Sequence, residues 1–171
     1  MKTRRTIILA TVMGLVIAPS LLRGSGTGPE AMVTHARSVV LGPGGSRDAM
    51  LNALVEILDA ALVVLPETSY SREFRSRLDA VRTLLKDGAL FSDKIHQYLG
   101  LAYKLVTDGQ AWQLPQELKG PYRQADITEQ ARKVGGRLFD SALAEMRAGR
   151  HEQCLRYLLE IVLMVVTPVE A

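Results

Sequence analysis

Apolar positions in this chain recur at helical spacing, and nowhere downstream of the first residues do they alternate at the period of a strand. Leu51, Leu54, Val55, Leu58, Leu62 and Leu65 fall on one face of a segment from about Arg47 to Leu65, with Ser46 placed to cap it and Pro66 to close it. Asn52, Glu56 and Asp59 leave only a narrow polar stripe opposite, so this helix belongs near the centre of the fold. The next segment, about Ser69 to Lys86, has the cleanest two-sided pattern. Tyr70, Phe74, Leu78, Val81 and Leu85 line one face, and Glu73/Arg77 and Arg75/Asp79 are i,i+4 pairs on the other. Gly88 stops it.

A third helix is predicted from a Ser92 cap to Gly109, with Ile95, Tyr98, Leu99, Ala102, Leu105 and Val106 inward. A loop of about 16 residues follows, carrying Trp112, Pro115, Gly120 and Pro121; it exceeds the usual helix-to-helix connection and implies either a crossover or a functional segment. The fourth helix opens with Asp126 and Glu129 in capping-box spacing and runs through Val134, Leu138 and Ala142 to Gly149. Gly135-Gly136 in its middle costs roughly 1 kcal/mol per glycine relative to alanine, so it marks either a kink or a close approach by a neighbour. The fifth, His151 to Val166, ends in the run Ile161–Val166 before Pro168 and must be covered on most sides, by this chain or by a partner. The expected fold is all-α: a small antiparallel bundle of four to five helices over residues 46–171.

The chain start reads differently. Lys2, Arg4 and Arg5 precede an uncharged apolar run, Thr6–Ala18, which Pro19 breaks before the small residues Ser20, Gly24, Ser25 and Gly26. That is the layout of a secretory signal peptide, assigned to residues 1–26, with cleavage after Ser20 as the other site that fits. The 17 uncharged residues from 6 to 22 lie at the lower limit for a membrane span, so an uncleaved anchor would be the only membrane attachment. Residues 27–45, rich in Gly, Pro and Ser, are expected to form a flexible leader with at most a short helix in Glu30–Leu41. The protein is therefore expected to be exported, to a periplasm or beyond the cell.

Export changes the charge. The 171-residue chain has 21 basic and 18 acidic residues; without Lys2, Arg4, Arg5 and Arg23, 17 basic face 18 acidic, and the net charge falls from +3 to −1. No basic surplus remains for nucleic acid, and 5% aromatic residues give a poor base-stacking surface. The single cysteine, Cys154, offers no intramolecular disulfide, so stability must come from helix packing.

Candidate chemistry is sparse. Asp93 and His96, at i,i+3, resemble half of a bundle di-metal site, but no second carboxylate-x-x-His element exists. An exposed first-turn carboxylate beside a solvent-facing histidine explains the pair as well. His151 and Cys154 share a face and would offer two ligands, yet Cys154 continues the row Leu158, Ile161, Val162 and Val165 and fits a buried hydrophobe. Glu56 and Asp59 are the acids an assembled active site would draw on. The basic residues Arg72, Arg75, Arg77, Arg82 and Lys86 are interspersed with acids, as on an ordinary wet face.

Tyr98–Tyr103 and Ala148–Leu155 each resemble part of a tetratricopeptide repeat, over about a fifth of the chain. No 34-residue period holds, so no family follows; the likeness implies only a hairpin-built interaction domain. No catalytic residue, cofactor-binding residue, metal ligand or cofactor is assigned. The function expected is non-enzymatic binding of a protein or peptide partner, with self-association through Val162–Val166 as one form. A metal-binding or metal-sensing bundle is the alternative. Intact-mass measurement of the protein recovered from its native compartment should give a chain starting at Leu21 or Thr27; a full-length mass would leave the anchor reading in its place.

Overall fold

The computed structural model describes residues 28–119 and 124–167, without the side chains of 124–127. The assigned signal peptide, Gly120, Pro121 and Pro168 lie outside that range. Six α-helices are found among the described residues: α1 (Pro29–Val40), α2 (Arg47–Val64), α3 (Ser71–Lys86), α4 (Asp93–Val106), α5 (Gln124–Arg147) and α6 (His151–Val166), with a 3-10 turn at Gln116–Leu118. No strand occurs among them. The helices pack antiparallel, as the periodicity predicted, but there is one more of them than the sequence suggested.

The additional helix lies in the stretch expected to be a leader. Pro29 sits in the first turn of α1, where its missing N–H costs nothing. Val33 and Ala36 are fully buried, so the segment is part of the core rather than a tether before it. Two buried residues in twelve make a weak hydrophobic pattern, and the surrounding Gly and Pro outweighed it in the sequence. The register is fixed by partners on two sides. Glu30 meets Arg147 at 2.6 Å and Arg37 meets Asp140 at 2.9 Å, so α1 runs antiparallel to α5. His35 meets Glu56 of α2 at 2.6 Å. These pairs are exposed and contribute at most about 1 kcal/mol each; they set alignment more than stability.

Consecutive helices form three hairpins, α1/α2, α3/α4 and α5/α6. Ser46 caps α2 as expected, its hydroxyl accepting from the Ala49 amide at 3.1 Å. Eight buried residues spread around α2 and place it centrally, as its narrow polar stripe implied. On α3 the buried set narrows to Phe74, Leu78, Val81 and Leu85. Of its two expected surface pairs, Glu73–Arg77 forms at 3.1 Å, while Asp79 turns instead to Arg82. Gly88 and Gly149 take positive φ and let α3 and α5 end by folding back: Ala89 donates to Leu84 and Arg150 to Glu145, both at 3.0 Å.

α6 is the middle of the molecule. Nine of its sixteen residues are buried, and it packs against α5, α4 and α2. Val162, Leu163, Met164 and Val166, offered above as a self-association seam, are buried within the chain; only Val165 of that end stays half-exposed. No described helix is long and apolar enough to cross a membrane. No buried polar or charged residue interrupts the described core.

The glycine pair of α5 is a close approach. A Cβ on Gly135 would stand 2.9 Å from Leu41 Cδ2 and 3.2 Å from Met164 Cε, whereas one on Gly136 would meet only Leu41 Cδ1 at 4.0 Å. The α1 C-terminus thus presses Leu41 onto α5 where a side chain is missing. Gly136→Ala should stabilise the protein by about 0.5–1 kcal/mol through helix propensity alone. Gly135→Ala should lose that gain to displacement of Leu41 and Met164, and Gly135→Leu should destabilise outright. Urea unfolding of the three variants checks the order; equal effects at 135 and 136 would contradict the packing.

Candidate functional site

The long connection after α4 follows from helix direction. Tyr103 of α4 donates to Glu160 of α6 at 2.8 Å, and seven residues earlier on α4 His96 meets Thr167, seven residues later than Glu160. α4 is therefore antiparallel to α6. So is α5, its hairpin partner, and α4 and α5 consequently run parallel. Fourteen residues of α4 span about 21 Å, and the chain must retrace that length before α5 can start. The loop is the crossover its length implied. It is pinned by Trp112, whose ring meets the His96 ring edge-on at 6.0 Å. It is pinned again by Leu118, buried in a small cluster with Val134 and Met164.

His96 is consequently not the solvent-facing side chain its position suggested. Trp112 covers it, and Thr167 occupies its Nε2, while Asp93 remains exposed. His151 is exposed at the start of α6, and Cys154 is 0% exposed beneath it. Among the described residues no three His, Cys, Asp or Glu side chains gather where an ion would be held. Glu56 and Asp59 diverge: the first meets His35 of α1 and the second meets Arg82 of α3 at 2.6 Å.

The concave feature the sequence did not reveal lies at the end of the bundle where α1 and α6 finish and α2 begins. It is a groove of about 490 Å³, within the range of ligand sites. Leu41, Met50, Phe91, Leu118, Met164 and Val165 supply apolar walls, and the Gly42–Gly45 turn forms one side largely of main chain. Among the described residues Arg132 of α5 is the one charged side chain lining it. Phe91, at the rim, is 59% exposed; the other large exposed hydrophobic among the described residues, Val63 at 61%, is near the far end of α2. Sequence pattern could not find this groove because its residues come from six separate places in the chain. The nearest signal was Phe91 itself, a large aromatic outside every predicted helical face.

Burial removes Cys154 from chemistry. Desolvation, followed by the nearby Glu145 carboxylate, pushes its thiol up to about 11. Tyr103 is also raised, first by burial and then by its bond to Glu160. Because the folded state keeps the Cys154 proton beyond the ordinary thiol value of 9.0, its contribution to stability is complete below pH 9 and is lost between 9 and about 11. Wild type minus Cys154→Ala should show this loss as a stability difference falling by at most about 1.4 kcal/mol per pH unit in that window; the subtraction removes the tyrosines. The native thiol should also resist Ellman's reagent at pH 8 until denaturant is added. Prompt native reaction would contradict its burial.

Comparison with protein-family models, with curated proteins and with solved structures finds no match.

Proposed function

We propose that this chain is an exported, non-enzymatic helical domain that binds a protein or peptide partner. The observation that carries the reading is the apolar groove at the α1/α6 end, with the exposed Phe91 on its rim. Exposed aromatics beside an apolar depression are what partner surfaces use for anchoring, since burying one removes a large apolar area from water. The other observations leave little for catalysis to act through. The acids that could have served, Glu56 and Asp59, are each engaged by a basic partner on a different helix, and the only cysteine is sealed and held as a thiol. Export is supported by the pattern of residues 1–26.

A photo-crosslinking residue in place of Phe91, with a control in place of the exposed Arg72 on α3, tests the reading in cells that make the protein. Discrete adducts at 91 and not at 72 are expected. Identical patterns at both positions, or none at either, would count against a dedicated binding end.

A further inference from the structure

We infer that the groove takes an apolar stretch of peptide carrying a carboxylate, which pairs with Arg132; this deepens the partner-binding reading and rests on it. The apolar part follows from the walls, where Leu41, Met50, Phe91, Leu118, Met164 and Val165 offer no charge. The acidic part follows from α5. Four of its basic residues have described side chains, and three are engaged: Lys133 with Glu129 at 3.0 Å, Arg137 with Glu117 at 2.6 Å and Arg147 with Glu30 at 2.6 Å. The fourth is Arg132, which has no acidic partner among the described residues and lines the groove. Among the described residues no Asp or Glu lines the groove to repel an incoming acid. A guanidinium beside an apolar wall recognises a carboxylate through a planar, two-pronged hydrogen-bonding face.

A peptide fits better than a lipid acid. The turn Gly42–Gly45 exposes main chain along one side, and a Cβ placed on Gly44 would meet nothing within 4 Å. An occupant with its own N–H and C=O groups can satisfy that edge, whereas an alkyl chain would leave it without partners. The groove is a surface depression and not an enclosed tunnel, which suits a segment that continues beyond it.

The test selects binders from a displayed random-peptide library on the mature chain, without bias for charge. The tightest are then synthesised with each acid and with the matching amide. Fluorescence anisotropy against wild type, Arg132→Gln, Ala131→Phe and Phe91→Asp gives the affinities. Peptides rich in Leu, Val or Phe with one acid are expected. Exchange of acid for amide should weaken binding about tenfold in wild type, as loss of a charge-assisted contact implies, and hardly at all in Arg132→Gln. Ala131→Phe, which fills the groove, should abolish binding. Phe91→Asp should do the same and, being at an exposed site, serves as the second variant if Ala131→Phe unfolds. Trp112, the sole tryptophan, reaches the groove through His96 and Thr167 and gives an internal readout by its fluorescence.

Peptides that bind all variants alike would overturn the groove while leaving partner binding standing. Discrimination that survives in Arg132→Gln would overturn the role of Arg132. Failure to select any peptide, or binding of decanoate without peptide, would overturn both this inference and the peptide-binding reading beneath it.

Discussion

The rest of the structure depends on covering α6. Its sequence, His151–Val166, has apolar residues on nearly every side of its second half, and a helix of that kind is stable in water only when neighbours surround it. α5 covers it as the antiparallel half of a hairpin, and α4 and α2 close the other sides. Because α4 and α5 both oppose α6, they are parallel to each other, and the crossover between them is a geometric requirement. The Trp112 loop is long for that reason. Its anchors, the half-buried Trp112 against His96 and the buried Leu118 against Val134 and Met164, turn a potentially costly excursion into additional packing.

Most of the helices were legible in the sequence because helical periodicity is a local signal. α6 was read to the residue, and α2 and α3 to within two residues at either end, with Ser46 and Gly88 acting as predicted punctuation. α1 was not legible. Its inward face has only Val33 and Ala36 fully buried, with Met32, Val39, Val40 and Leu41 half-buried against the core, and its alignment comes from residues distant in sequence, Glu56, Asp140 and Arg147. Such a helix is specified by its receptor surface. Local propensity contributes little to it, and isolated helices of twelve residues are marginal in water.

The glycine pair shows the same limit from the other side. Gly135-Gly136 announced that something happens within α5 but not what, because a kink and a close neighbour leave identical sequence traces. Leu41 settles it as a neighbour. For the same reason His96 was misplaced: helical phase puts it on an outer face, and only the crossover, whose path depends on α4 and α5 being parallel, brings Trp112 back over it. The Arg75–Asp79 pair failed more simply, since Asp79 has Arg82 within reach on the next turn and Arg82 already leans toward Asp59 of α2.

The location of the groove follows from these same constraints. At the end where α6 terminates, α2 begins and α1 finishes, the helices no longer bury one another fully, and the chain fills the space with a glycine turn and a short 3-10 turn. Among the described residues those connections do not fill it. Met164 lies at the junction: its side chain helps form the Leu118–Val134 cluster, limits the space at Gly135, and faces the groove. Leu41 joins the same junction from α1. The groove wall and the docking of α1 are thus one packing arrangement, and interiors this dense transmit a change of even one methylene to their neighbours. An occupant of the groove would therefore be felt first by Leu41 and Met164, and through Leu41 by α1.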